Sequence, residues 1–249
     1  MIILKSPQEI EIMAQAGKIV AEVLKSLKGA ISAGATTKEL EQFADERILA
    51  LGGKSAFKGY KGYPSSICTS VNEVVVHGIP SSRKLREGDI VSIDIGVFYE
   101  GFYGDAAYTF PVGAIDQDTA KLLRVTEEAL YRGISKAVEG NRLFDVSQAI
   151  QEHVEKHGFS VVRTFVGHGI GRQLHEEPQV PNFGIAGQGP RLRQGMTLAI
   201  EPMVNAGTFD VRVLKDGWTA VTQDGKRSAH FEHTVVVMPN SARILTNFN

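Results

Sequence analysis

One cysteine, Cys68, stands in a chain of 249 residues. With no second thiol an internal disulfide is impossible, so packing must hold the fold, which is consistent with a reducing compartment. A surplus of charge is missing too: 27 basic and 28 acidic side chains leave a formal net charge of −1. That excludes a general electrostatic pull toward nucleic acid or an anionic membrane. Long apolar runs are absent. The opening MIILKSPQEIEIM has three consecutive apolar residues after Met1 before Lys5, Glu9 and Glu11 intervene, too few for a signal peptide or a membrane span. We therefore expect a cytoplasmic protein with no membrane partner and no specific nucleic-acid partner. There is also no low-complexity segment or long linker. What the chain does have, 43% apolar and 22% charged residues, is the composition of a soluble domain with enough length for a sizeable core.

Ser6-Pro7-Gln8-Glu9 carries the signature of a helix start: Ser as N-cap, Pro in the first turn, Glu at the capping-box position. Ile12, Ala16, Ile19, Val20, Val23 and Leu27 follow at helical spacing. A second helix begins at Thr37 and ends at Gly52-Gly53. Strand-like runs follow at Ser66–Ser70, Val74–His77 and Ile90–Phe98. Helical patterns return around 116–139 and 145–157, and β texture takes over after Gly158. Two helices then strands, twice over, points to an internal duplication. LREGDIVSID (85–94) aligns with LRQGMTLAIE (192–201), so Asp94 falls on Glu201 at an offset of 107, while Gly34/Gly140 and Gly52/Gly158 share an offset of 106. We expect one domain, residues 1–249, whose halves (roughly 1–110 and 111–249) share a central sheet system.

Asp94 and Glu201 each end a strand that reads as buried, where an unpartnered charge is costly. IVSIDIGVFYEGFYGDAAYTF (90–110) reads as a hairpin. A turn over Phe98–Gly101 sets Asp94 opposite Asp105, and a tight Glu100-Gly101 turn sets them diagonally. Either register puts both carboxylates on one face, roughly 4.5–8 Å apart at Cβ. They repel unless a cation lies between them. Glu201 in TLAIEPM, Glu232 in AHFEHTVVVM and His168 after VVRTFV share the same apolar setting. Four carboxylates and one imidazole form a hard, oxygen-rich set. It suits Mn, Fe, Co or a metal pair better than structural zinc, and two divalent ions balance four carboxylates. Two other patterns carry less. Gly167-His-Gly-Ile-Gly171 looks like a phosphate loop, but no helix follows it and Glu176 and Glu177 do. His153 and His157 lack the Glu placement of HExxH and read as a solvated helix end. Alternation puts His230 on the ligand face beside Glu232 and His233 opposite, so His230 reads as a structural residue that supports the ligands rather than as one of them.

The segments VNEVVVHGIP (71–80), DIGVFYEGFYGD (94–105), GHGIGRQLHEEP (167–178), LAIEPM (198–203) and HFEHTVVV (230–237) resemble the methionine aminopeptidases of the short, bacterial type I form over nearly the whole chain. The resemblance implies an α+β "pita-bread" fold of two pseudo-symmetric halves, with antiparallel sheet inside and helices outside. It also implies no room for the helical insert of type II enzymes between Glu201 and Glu232, and no N-terminal extension. It implies two divalent metal ions (Co, Mn, Fe or Zn) held by Asp94, Asp105, His168, Glu201 and Glu232, and removal of N-terminal methionine before a small second residue. In that scheme a metal-bound hydroxide attacks the scissile carbonyl, Glu201 shuttles the proton, and His77 and His175 contact the substrate. Tyr60, Tyr63, Cys68 and Trp218 would surround the methionine; Phe57, where the family commonly has cysteine, and Leu174, where it commonly has an aromatic, depart from its pattern. Asn72, Val74 and Ser228 match a monovalent Na or K site. Nascent polypeptide N-termini are the implied substrates, the ribosome a candidate partner, and a monomer the implied state. Two alternatives are another pita-bread exopeptidase of the Xaa-Pro type, and a non-catalytic binding protein on the same fold.

Overall fold

A computed structural model describes residues 1–247. The Ser6 capping box forms: the Ser6 hydroxyl accepts from the Glu9 N–H while the Glu9 carboxylate accepts from the Ser6 N–H. It starts helix α1 (Pro7–Leu27), which buries Met13, Ala16, Val20, Leu24 and Leu27. Helix α2 (Thr37–Ala50) begins with a second capping box on Thr36 and Glu39. Strands β1 (Lys54–Ser55), β2 (Cys68–Val71), β3 (Val74–Val76), β4 (Ile90–Tyr99) and β5 (Phe102–Pro111) follow, then helices α3 (Gln117–Lys136) and α4 (Leu143–Lys156). The remainder is β: β6 (Ser160–Val161), β7 (Gly167–Gly169), β8 (Glu176–Val180), β9 (Thr197–Ile200), β10 (Met203–Asn205), β11 (Val211–Val213), β12 (Ala220–Thr222), β13 (Ser228–His230), β14 (His233–Val237) and β15 (Ala242–Ile244).

Each helix pair covers its own antiparallel ladder. The first half joins β1, β4, β2 and β5, and the second joins β15, β14, β9, β7 and β8. Ile19, Val23, Leu24, Ile48, Ile93, Ile95 and Ala106 form one core, and Leu122, Leu130, Ile150, Leu198, Ile200 and Val235 form another. The strands do not make one central sheet system: among the described residues they form four hydrogen-bonded ladders, two of three strands (β13-β10-β6 and β11-β12-β3) flanking the larger two. The break lies between β5 and the segment 230–234, where side chains stand in for part of the backbone ladder.

The β4–β5 hairpin selects the tighter of its two possible registers. Tyr99 pairs with Phe102, and Glu100 (φ 46°) and Gly101 (φ 87°) both sit in the left-handed region that a two-residue turn between right-twisted strands requires. Asp94 then faces Ala107 and Asp105 faces Gly96, so the two carboxylates are diagonal neighbours on one face. Asp94 lies mid-strand, not at a strand end, and Glu201 immediately follows β9. His153 is likewise not solvated: it is buried, with Nε2 3.0 Å from the Glu128 carboxylate, and His157 turns Nδ1 toward its carbonyl at 2.7 Å.

Candidate metal centre and substrate pocket

The two halves meet across β5. The Glu232 N–H donates to the Ala107 carbonyl at 2.9 Å. On one side of this bond the Asp105 N–H donates to the Thr234 hydroxyl at 3.0 Å, and that hydroxyl donates to the Asp105 carbonyl at 2.7 Å. On the other side the His230 N–H donates to the Thr109 hydroxyl at 2.9 Å, and that hydroxyl donates to the His230 carbonyl at 2.7 Å. Residue pairs 105/234, 107/232 and 109/230 share one index sum, so the seam keeps antiparallel register. A threonine hydroxyl on either flank replaces the direct backbone pair. The Asp105 and Glu232 carboxylates are thereby fixed against each other across the halves.

His168 reaches the same point from β7. Gly167 and Gly169 flank it because a Cβ there would lie 2.3 Å from the Ala199 carbonyl oxygen and 2.2 Å from the Glu177 carbonyl oxygen. The tight approach that demands glycine is therefore to neighbouring strands. The imidazole Nε2 lies 3.6 Å from Glu201 Oε1 and 3.9 Å from Asp105 Oδ2. Ligand atoms of Asp105, His168 and Glu232 all fall within 4.8 Å of one another, as do those of Glu201, His230 and Glu232. Asp94 completes the cluster from β4, directly across from Cys68 on β2.

The electrostatics are those of a cluster suited to a cation. Burial pushes the Asp94 carboxyl up to about 7. Burial first, then the neighbouring carboxylates, holds Asp105, Glu201 and Glu232 well above the ordinary range. Burial drives His168 down to about 4 and so keeps it a neutral, ligand-ready imidazole. Asp94 Oδ1, Asp105 Oδ1 and Glu232 Oε1 are buried and have no hydrogen-bond partner, and among the described residues no lysine or arginine is ion-paired with any of the four carboxylates. Buried polar atoms are ordinarily satisfied. Three orphaned carboxylate oxygens converging with a neutral imidazole fit a divalent metal and fit little else.

Beside this cluster opens a cavity of about 230 Å³. Of the residues expected to contact substrate, His77, His175, Tyr60, Tyr63, Cys68 and Trp218 all line it, as do Phe57 and Leu174. Phe165, Val76 and Met203 complete the apolar wall; in sequence each reads as an ordinary strand or core residue, and only the fold directs it inward. The Tyr63 hydroxyl donates to the Ile67 and Gly78 carbonyls at 3.2 and 3.0 Å, and its ring meets Trp218 edge-on at 5.1 Å. Burial and the adjacent Asp94 push the Cys68 thiol up, so it is a small apolar wall. His77 has φ 60°, a strained conformation for a non-glycine residue and of the kind found at working sites. Its ring stands edge-on to Phe165 at 5.4 Å. At the mouth, His175 stacks on Tyr60 at 5.2 Å and places Nδ1 2.9 Å from its hydroxyl. Loss of hydration, then His168, holds the His175 imidazole below its ordinary range.

Asn72, Val74 and Ser228 come together elsewhere, where β3 and β13 approach. The Ser228 N–H donates to the Asn72 carbonyl at 2.8 Å, and the Asn72 side chain bridges Asp89 and the Ile90 N–H.

Metallopeptidase family M24 matches residues 11–239. The methionine aminopeptidase of Clostridium perfringens is 56% identical over 246 residues, covering 99% of each chain. The chain belongs to the methionine aminopeptidases of that family. A solved methionine aminopeptidase from Thermotoga maritima superposes with a TM-score of 0.98 at 53% identity, covering 99% of this chain and all of that one. A prolidase from Pyrococcus horikoshii shares the fold at a TM-score of 0.81, but at 22% identity and with only 64% of its own length matched. The likeness to the Xaa-Pro class is thus one of fold, while the likeness to the methionine aminopeptidases runs through the whole sequence.

Proposed function

We propose that the protein hydrolyses the first peptide bond of polypeptides that begin with methionine and carry a small second residue, using two divalent ions held by Asp94, Asp105, His168, Glu201 and Glu232. The observation that carries this reading is the convergence of orphaned carboxylate oxygens and a neutral imidazole in the wall of an apolar pocket. Divalent metal held there supplies an activated water and polarises the scissile carbonyl; Co, Mn, Fe and Zn all suit the donor set.

The chain's own groups do the rest. Phe57, Tyr63, Cys68, Leu174 and Trp218 accept the methionine side chain, and the burial of the first four excludes competing water. Glu201 takes a proton at a carboxylate oxygen during attack and passes it to the leaving amine. The Tyr60 hydroxyl, donating to His175 Nδ1, leaves Nε2 protonated and able to donate to the carbonyl oxygen as negative charge builds there. His77, held between Phe165 and Trp218, contacts the scissile amide. The same proposal covers a monovalent Na or K ion at Asn72, Val74 and Ser228, and one catalytic unit with halves 1–110 and 111–249, supported by the repeated order of helix pair and ladder. It also makes the protein a cytoplasmic monomer acting on nascent N-termini, with the ribosome a candidate partner.

Comparing Met-Ala-Ser, Ala-Ala-Ser and Met-Lys-Ser as substrates of the metal-loaded protein tests this. Release of methionine from the first peptide alone is expected. Equal cleavage of all three would refute the pocket assignment, and cleavage confined to Xaa-Pro peptides would favour the prolidase-like alternative.

A further inference from the structure

The Glu201 carboxylate lies between two imidazoles. Its Oε1 is 3.6 Å from His168 Nε2, and its Oε2 is 3.7 Å from His230 Nε2. The two contacts are alike in kind. Both are too long for a hydrogen bond, which brings nitrogen and oxygen to about 2.7–3.2 Å. Both suit two donors on one ion, which at about 2.1 Å from the metal stand up to about 4.2 Å apart. His230 Nε2 is buried and has no hydrogen-bond partner, although the residue is only 2% exposed. The ligand atoms of Glu201, His230 and Glu232 form a group as compact as Asp105, His168 and Glu232, and the two groups share Glu232.

The backbone explains why this ring cannot look elsewhere. The Thr109 hydroxyl clamps both the N–H and the carbonyl of His230. Residues 230 and 232 therefore project to the same side of the segment. His233, one residue beyond Glu232, faces away and is taken up by the Thr246 hydroxyl at 3.0 Å. Two histidines flank one glutamate, and only His230 ends beside the carboxylates with a free nitrogen.

We infer that His230 is a metal ligand, joining Glu201 and Glu232 at the ion that His168 also faces. The centre then offers two imidazoles in a donor set of six residues. A second imidazole biases the centre toward borderline transition ions such as cobalt, iron and zinc and away from magnesium and calcium. This rests on the metallopeptidase reading above.

Cobalt(II) loaded into chelator-stripped full-length protein is the probe. The number of cobalt ions per chain multiplied by the imidazoles per cobalt from X-ray absorption fine structure gives imidazole ligands per chain. Two are expected in the wild type and one in His230→Gln. Glutamine can still donate a hydrogen bond to Glu201 but is a poor ligand, so the variant separates ligation from simple support. It should also bind cobalt at least tenfold more weakly. A wild-type count of one, or a count unchanged by His230→Gln, would overturn the inference while leaving the metal centre intact. The wild-type count decides the matter even where the variant misfolds. Failure of the wild type to retain any cobalt would instead overturn the metallopeptidase reading itself.

Discussion

Replacing Thr234 with valine removes one hydroxyl and little volume, yet it should rank among the costlier single changes in the chain. Thr234 is fully buried. Its hydroxyl is the partner of both the Asp105 N–H (3.0 Å) and the Asp105 carbonyl (2.7 Å). Asp105 pairs with Gly96 in the hairpin, but these two groups point away from β4 and toward the seam. Valine would leave both without a partner in a site closed to water. Each orphaned backbone group costs about 1–3 kcal/mol, so the substitution should cost roughly 2–6 kcal/mol, a large share of a total of about 5–15 kcal/mol. For a domain of this size, that corresponds to a melting temperature lower by about 5–20 °C. Thr234→Ser keeps the hydroxyl and loses one methyl, at about 1 kcal/mol. Urea unfolding of the wild type and both variants measures the difference. A valine variant within about 0.5 kcal/mol of wild type, or a serine variant as unstable as the valine one, would refute the claim that the hydroxyl holds the seam.

Asp105→Ala should lower kcat/KM by more than about a hundredfold and reduce bound metal to at most one ion per chain; near wild-type turnover would contradict the two-ion assignment. His77→Ala should keep its metal content and lower kcat by about 10²-fold, so metal loss on analysis would show that His77 is misassigned. Stability of the metal-free protein should fall as pH rises from about 6.5 to 8. Carboxyls raised in the folded state, Asp94 to about 7 and Asp105, Glu201 and Glu232 well above their ordinary range, hold protons that the unfolded chain has released, so their stabilisation is lost with rising pH. His168, at about 4, and His230, at about 3, act oppositely, but only below the ordinary imidazole value of 6.5. Above it they are neutral in both states and the carboxylates alone act. Metal loading should abolish the slope, and a metal-free protein stabilised between pH 6.5 and 8 would contradict the burial of this cluster.

The acidic cluster was legible in the sequence because charge is conspicuous on apolar strands. Asp94 and Asp105 share a face in either hairpin register, and alternation alone separates His230 from His233. The seam was not legible. Thr109 and Thr234 read as ordinary β-branched strand formers, and their hydroxyls acquire a role only from partners more than a hundred residues away. The same limit hid Phe165, whose inward direction depends on packing beside His77. It also hid the division into four ladders, since a side-chain hydroxyl substituting for a backbone pair leaves no mark on hydrophobic periodicity. His153 misled for a related reason: at the end of an amphipathic helix it reads as solvated, and only the packing of α3 against α4 brings Glu128 to cover it.

Hydrolysis should depend on metal held by the buried carboxylates and imidazole. The direct test is methionine release from Met-Ala-Ser by chelator-stripped protein, before and after addition of Co(II) or Mn(II). No release is expected from the stripped protein, with recovery on adding metal. Undiminished release from protein shown to be metal-free would contradict that dependence.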